Sequence, residues 1–133
     1  LELLERTEGL SSARVARFSA DLALFYTTLG RAEEAEPLYH QSLQTLEWLH
    51  GTQDNEVIFI RTALAGFYLE EQRYAEANTL YRELLTILSD AQNSQPDQLL
   101  AVLDEYAVLL HTTGRQEEAA LLEARARALR ATF

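Results

Sequence analysis

Two stretches of the chain share one pattern at a spacing of 42 residues. Residues 30–51 read GRAEEAEPLYHQSLQTLEWLHG, and residues 72–93 read QRYAEANTLYRELLTILSDAQN. Extending the comparison to residues 22–46 gives eleven identities in 25 positions. A further shift of 42 residues finds a weaker third copy, carried by Ala107, Gly114, Arg115, Glu118, Ala119 and Leu122. A fixed period of this length is typical of a repeat protein.

The same spacing extends toward the beginning of the chain. A backward shift aligns residues 1–9 with residues 43–51, with identities at Leu1, Leu4, Glu5 and Gly9. We therefore expect a single domain over residues 1–133, excised from a longer repeat protein. Its expected parts are the tail of a preceding repeat (1–10), repeat 1 (11–51), repeat 2 (52–93) and repeat 3 (94–133), the last of which serves as a C-terminal cap.

Each copy is predicted to be a pair of antiparallel helices of roughly 15 to 18 residues. Apolar residues recur at helical spacing in both halves of repeat 1, namely Phe18, Leu22, Phe25, Tyr26 and Leu29, then Leu38, Leu43, Leu46 and Leu49. No segment shows the sustained alternation of a strand. The sequence thus predicts an all-α protein with six full helices and one helical fragment before them.

The breaks between helices carry the residues that end and begin helices. Gly30 and Gly114 suit the left-handed residue that follows a helix. Gln72 replaces this glycine in the middle copy, so its turn is expected to be either strained or differently closed. Pro96 suits the first turn of a helix, with Ser94 or Gln95 as its cap.

The spacing of small and aromatic residues resembles the tetratricopeptide repeat. Leu22-Ala23-x-x-Tyr26, Gly30 and Ala35-x-x-x-Tyr39 match its pattern, although its first Trp and closing Pro are absent. The period exceeds the usual ~34 residues, and together with EEAEPLY it resembles the kinesin-light-chain-like subclass. The resemblance implies an α-solenoid of antiparallel helix pairs that forms a right-handed superhelix.

Packing explains why these residue types repeat. The alanines should let the paired helices approach closely, and the tyrosines should fill the space beside them: Ala23, Ala65, Ala107, Ala35, Ala77, Ala119, Tyr26, Tyr68, Tyr39 and Tyr81. One pair cannot bury its apolar face alone, so neighbouring units must stack. Gly66 stands inside a predicted helix, where it indicates either close helix packing or a dent in the inner face.

Composition excludes several classes of function. The net charge is −10 and the pI about 4.7, whereas nucleic-acid binding requires a basic surface. We expect neither nucleic acid nor a membrane as partner, because no apolar run reaches the ~18 residues of a membrane span. The chain has no cysteine, which fits a cytoplasmic location.

No constellation of residues indicates catalysis. His40, His50 and His111 lack the spacing of a helical metal site and are expected at the surface, with a partner contact as the alternative for His111. Adjacent carboxylates such as Asp104 and Glu105 point about 100° apart on a helix, so they do not form a facing acid–base pair. We expect no enzyme activity, no metal and no cofactor.

The family resemblance implies that the first helix of each unit lines a concave groove for peptides. The positions that it selects are Arg17, Ala20, Asp21, Leu24, Thr27, Thr28, Phe59, Thr62, Ala63, Gly66, Leu69, Glu70, Ala101, Asp104, Glu105, Val108, His111 and Thr112. Asp21, Glu70, Asp104 and Glu105 would form an acidic wall, with Leu24, Phe59, Leu69 and Val108 as apolar contacts. The partner is therefore expected to be a basic, amphipathic segment of another protein.

Three functions remain open at this point. The first is a scaffold or adaptor module that binds a peptide or helix. The second is a regulatory or sensor arm of a larger enzyme or transcription regulator. The third is a structural array that associates with itself through its exposed end.

Overall fold

The computed structural model describes the backbone of residues 2–89 and 96–132, and side chains from Ser12 onward. Within these ranges the chain forms helices and no strand. The helices are α1 (Glu2–Thr28), α2 (Ala32–His50), α3 (Asn55–Glu70), α4 (Tyr74–Leu88), α5 (Pro96–Thr112) and α6 (Gln116–Arg130). The predicted all-α fold of helix pairs is confirmed.

The helices belong to two compact units. Unit 1 comprises residues 1–64 and unit 2 comprises residues 65–133, so α3 begins in the first and ends in the second. In unit 1, α1 packs against α2. In unit 2, α5 packs against both α4 and α6.

Helix α1 is longer than predicted. It runs from Glu2 to Thr28 without a break, so the expected fragment is not a separate element. Leu10 and Ala13 stand where the next period has Thr52 and Asn55, and both replacements favour helix. The assignment of residues 1–10 to a preceding repeat remains a prediction.

The turn within each helix pair closes with the same two hydrogen bonds. In the first pair, Gly30 (φ +77°) donates its N–H to Thr27 at 3.0 Å, and Arg31 donates to Tyr26 at 2.8 Å. These bonds satisfy carbonyls at the end of α1 that have no partner inside the helix. The third pair uses Gly114 (φ +81°) in the same way.

Gln72 closes the middle turn like the glycines. Its φ is +63°, its N–H reaches Leu69 at 3.1 Å, and Arg73 donates to Tyr68 at 2.8 Å. The alternative of a different closure is therefore wrong, and the strained turn is observed. A non-glycine residue pays for this left-handed conformation through the crowding of its Cβ.

Each turn ends in an arginine that holds the next helix. Arg31 pairs with Glu34, with Nη2 and Oε1 2.6 Å apart, and its guanidinium lies 5.0 Å from the ring centre of Tyr26. Arg73 pairs with Glu76, and its guanidinium lies 4.6 Å from the ring centre of Tyr68. Arg115 pairs with Glu118 in the same way. The repeated Arg-x-x-Glu therefore fixes the start of each second helix.

The predicted small residues lie at the centre of each helix pair. The fully buried alanines are Ala35, Ala65, Ala77 and Ala119. Tyr39 and Tyr81 are at most 1% exposed. Because an alanine methyl group extends little beyond the backbone, the paired helices can approach closely.

Two links join one pair to the next. In the first, the carboxylate of Asp54 accepts hydrogen bonds from the N–H groups of Glu56 and Val57 at 3.0 and 3.2 Å, which caps α3. Pro96 begins α5 as predicted, whereas the predicted caps Ser94 and Gln95 lie outside the described residues. None of the helices, as far as the chain is described, is long and apolar enough to cross a membrane.

Candidate functional site

Six of the predicted groove residues line one concavity of unit 1. Arg17, Ala20, Asp21 and Leu24 belong to α1, and Phe59 and Ala63 belong to α3. The volume is about 180 Å³, and the other lining residues are Tyr39, Glu56 and Ile60. We call this site the unit 1 concavity.

The repeat explains why these positions meet. Residues 17, 21 and 24 share one face of α1, because they are four and three residues apart on a helix. Phe59 and Ala63 are the counterparts of Arg17 and Asp21 one period later. Leu24 and Phe59 keep 38% and 58% of their surface exposed, so apolar surface is open to a partner there.

The charges of the unit 1 concavity do not balance. The Nε–H of Arg17 donates to both oxygens of Glu56, at 2.8 and 2.9 Å. The exposed carboxylate of Asp21 takes part in no ion pair within the described residues. With Arg17 neutralised by Glu56, Asp21 leaves a net negative charge beside the apolar surface.

A second set of predicted residues lies in unit 2 around Glu105. The hydroxyl of Tyr81 donates to Oε1 of Glu105 at 3.4 Å, and a Cβ atom on Gly66 would lie 3.3 Å from the same oxygen. Partial burial raises the pKa of Glu105, and the charges of Asp104 and Glu70 add to the rise, while the hydrogen bond from Tyr81 opposes it. Gly66 therefore provides space for a carboxylate rather than for a helix backbone.

Two other predicted residues of unit 2 are held by ion pairs. Asp104 is paired with Arg130 of α6. His111 lies at the surface, as predicted, with Nε2 2.8 Å from Glu123 and Nδ1 in contact with Gln116. The hydrogen bond to Glu123 is the main reason that the pKa of His111 is raised. The acidic wall expected from the sequence is thus partly neutralised, because Asp104 is paired with Arg130 of α6.

Three further predicted residues, Thr28, Glu70 and Val108, are exposed and lie on different elements. The Thr28 hydroxyl donates to the Leu24 carbonyl at 2.9 Å, and Val108 is 54% exposed. Glu70 is exposed near the end of α3. Thr28 belongs to unit 1 and the other two to unit 2, so a single groove along all three repeats remains a prediction.

Three lining residues of the unit 1 concavity were not among the groove candidates. Tyr39 was assigned to helix packing, and Glu56 and Ile60 were not singled out. Glu56 lies one helical turn before Phe59, the counterpart of Arg17. The period and the helical spacing together could therefore have indicated the pair of Arg17 and Glu56.

No metal site is found in the described ranges. No three His, Cys, Asp or Glu side chains among those residues are arranged to hold a metal ion. His40 and His50 are exposed, as predicted, and His40 lies 3.8 Å from Glu36.

Comparisons with known proteins identify the repeat. A family model described as "Tetratricopeptide repeat" matches residues 13–90, more than half of the chain. No significant match to a curated protein is found. The crystal structure of BtubC (BKLC) from P. vanneervenii, a kinesin light chain-like protein, superposes with a TM-score of 0.83 at 23% identity. The match covers 89% of this chain and 47% of that chain, so the chain spans about half the length of its structural relative.

Proposed function

The chain belongs to the tetratricopeptide repeat family, and on this premise we propose that it is an adaptor module that binds a peptide or helix of another protein through the unit 1 concavity. Tetratricopeptide repeats generally mediate protein–protein interactions and are typically non-catalytic scaffolds. The observation that carries the proposal is the exposed apolar pair Leu24 and Phe59 beside the carboxylate of Asp21, which has no ion pair among the described residues.

The size of the concavity favours a side chain over a small molecule as its occupant. Its volume of about 180 Å³ is below the roughly 300–1,000 Å³ of typical small-molecule pockets. One apolar side chain of a partner could contact Leu24 and Phe59 there. Burial of such a side chain contributes about 1.5–3 kcal/mol, so further contacts along the surface are needed for useful affinity.

The charge favours a basic partner. A Lys or Arg one helical turn from the apolar side chain could reach Asp21, and the net charge of −10 attracts cationic segments over a longer range. Exposed ion pairs contribute only about 0–1 kcal/mol each. The acidic residues should therefore govern the rate and specificity of association more than its affinity.

The experiment is a titration of fluorescent peptides, basic or acidic but otherwise matched, with the purified chain at low and high salt. We expect the basic amphipathic peptide to bind more tightly and to weaken as salt rises. Asp21→Asn and Phe59→Ser should each weaken binding several-fold, and Glu117→Gln on α6 is the matched charge control. Preferential binding of acidic peptides, or unchanged binding by both variants, would refute the proposal.

Arg17 gives a test in the opposite direction. Arg17→Gln frees Glu56 and makes the concavity more negative, so the basic peptide should bind more tightly, by about 1 kcal/mol at most. A loss of binding would mean that Arg17 itself contacts the partner.

Two alternatives remain proposals, namely a regulatory or sensor arm of a larger enzyme or transcription regulator, and an array that self-associates through its exposed end. A cytoplasmic location and excision from a longer repeat protein also remain proposals. Sedimentation of the isolated chain distinguishes self-association from peptide binding, because only the former changes its mass in the absence of peptide.

A further inference from the structure

A pocket in unit 2 lies between the start of α4, the end of α5 and the turn that follows α5. Its lining residues are Tyr74, Ala75, Asn78, Leu109, Thr113 and Arg115. The volume is about 190 Å³, and none of these residues lines the unit 1 concavity. We call this site the unit 2 pocket.

The unit 2 pocket depends on two residues that differ between the repeats. In the first two helix pairs, the arginine of the turn lies 5.0 and 4.6 Å from the ring centre of a tyrosine. Leu110 replaces that tyrosine in the third pair, and Asn78 stands where the other second helices have Glu36 and Ala120. Here Arg115 donates from Nη1 to Oδ1 of Asn78 at 3.4 Å. The pocket is thus a feature of one repeat and not of the general repeat pattern.

Two hydrogen bonds fix the orientation of the Asn78 amide. Oδ1 accepts from the hydroxyl of Tyr106 at 2.6 Å and from Nη1 of Arg115. A guanidinium can only donate, so the Asn78 atom that faces Arg115 is the oxygen. Burial raises the pKa of Tyr106, which keeps its hydroxyl protonated as a donor. The Nδ2 group of Asn78 donates to nothing in the part of the chain that the structure describes, so the pocket holds a fixed pair of N–H donors.

Thr113 contributes an acceptor to the same pocket. Its Oγ1 donates to the backbone carbonyls of Leu109 and Leu110, at 3.0 and 3.3 Å. Because a hydroxyl has a single proton, Oγ1 can only accept from a bound group. Arg115 gives Nε and Nη2 to Glu118, which balances its charge and leaves Nη1 directed to Asn78. The pocket therefore combines N–H donors and a hydroxyl acceptor without a net charge.

We propose that the unit 2 pocket binds the carboxamide side chain of an Asn or Gln residue in a partner protein. The amide oxygen of the ligand accepts from Nδ2 of Asn78 and Nη1 of Arg115, and its amide nitrogen donates to Oγ1 of Thr113. The methylene groups of the ligand contact Leu109 and the half-buried ring of Tyr74. This binding is independent of the unit 1 concavity, so either proposal can fail without the other.

Size and charge narrow the choice of ligand. The volume is below the roughly 300–1,000 Å³ of small-molecule pockets, which favours a single side chain. A carboxylate fits less well than a carboxamide, because it cannot donate to Thr113. The net charge of −10 also repels an acidic ligand.

The test is a titration of the isotope-labelled chain, followed by amide NMR spectra, with single residues capped by N-acetyl and N-methylamide groups. The four probes carry the side chains of Gln, Asn, Glu and Leu and share one backbone, so differences in binding reflect the side chain. We expect the Gln or Asn probe to shift the side-chain amide of Asn78 and the backbone amides of Thr113 and Arg115. The Kd should be on the order of millimolar, because one side chain makes few contacts. The Glu probe should bind about fivefold more weakly, and the Leu probe should give no saturable shift.

Three variants locate the binding. Asn78→Asp replaces the two N–H donors by an acceptor at nearly constant shape and should weaken binding of the Gln probe by about tenfold. Asn55→Asp makes the same change at an exposed site outside the pocket and should leave binding unchanged. Thr113→Val removes the acceptor alone and should reduce the preference for Gln over Glu, which keeps the test available even where Asn78→Asp does not fold.

Four results would overturn the proposal. A Glu probe that binds at least as tightly as the Gln probe would indicate an anion site, and a Leu probe that shifts the same amides equally would indicate an apolar cavity. The other two are Gln-probe binding that survives Asn78→Asp unchanged and the absence of any shift with the Gln and Asn probes.

Discussion

The carboxylate of Glu105 occupies the space that a side chain at Gly66 would need. A Cβ atom at position 66 would lie 3.3 Å from Oε1 of Glu105, and the same oxygen accepts the hydroxyl of Tyr81. Glycine inside α3 costs about 1 kcal/mol relative to alanine. Glycine at position 66 thus weakens α3 but leaves room for the partly buried carboxylate of Glu105.

This relationship predicts coupling between the two positions. Gly66→Ala should stabilise a Glu105→Ala chain by about 1 kcal/mol through helix propensity, but should stabilise the wild type less, because the carboxylate must move. Urea denaturation of the four chains in a double-mutant cycle measures the difference. If Gly66→Ala changes the free energy of unfolding equally in both backgrounds, the contact with Glu105 does not restrict the side chain at position 66.

Glu105 should also make stability depend on pH. Its folded-state pKa is raised, so the folded chain holds this proton more tightly than the unfolded chain does. Stability from this group is complete below the unfolded pKa of about 4.3 and is lost as pH rises through the folded pKa. Glu105→Gln should therefore raise the melting temperature at pH 7 and have little effect near pH 4. A larger gain at pH 4 than at pH 7 would contradict this sign.

The ion pair of His111 and Glu123 should also make the folded chain less stable as pH rises, but over a higher pH range than Glu105 does. Because the pKa of His111 is raised by Glu123, its stabilisation is complete below about pH 6.5 and is lost as pH rises through the folded pKa. Glu123→Gln should weaken this dependence in a series of thermal melts between pH 5.5 and 8.5, while the contact with Gln116 keeps part of it. His50→Gln is the control and should leave the dependence unchanged.

The strained turn predicts a stabilising substitution. Gln72→Gly should stabilise the chain by about 1 kcal/mol, because glycine has no Cβ to crowd the backbone at φ +63°. Gly114→Gln is the matched reverse change at φ +81° and should cost a similar amount. Denaturation midpoints that move in the same direction for both variants would exclude this explanation.

The fully buried alanines predict sensitivity to volume. Ala65→Leu should destabilise the chain by about 1–3 kcal/mol through overpacking, since Ala65 is 0% exposed. Ala131, which follows α6 and is exposed, is the control site for the same change. Similar melting temperatures for the two leucine variants would mean that the helix pair tolerates greater separation at Ala65.

Much of the fold could be predicted because its determinants are local or periodic. Gly30, Arg31 and Glu34 lie within five residues of one another and specify a turn. Shifts of 42 and 84 residues locate the equivalent turns in the second and third helix pairs. The alanines were recognised as packing residues because they recur with that period. Six residues that line the unit 1 concavity were predicted for the same reason, since equivalent positions on α1 and α3 recur with that period.

The sequence by itself thus determined the helices apart from the length of α1, the turns that pair them and the family, because hydrophobic period and turn chemistry are properties of short segments. Tertiary structure alone decided which charges are paired: Arg17 is paired with Glu56 and Asp104 with Arg130, while Asp21 has no ion pair within the part of the chain that the structure describes. It also decided that Phe18 and Phe25 are exposed although their counterparts are buried. Both outcomes depend on which side chains meet across tens of residues, and Coulombic pairing and burial act through distance in space rather than along the chain.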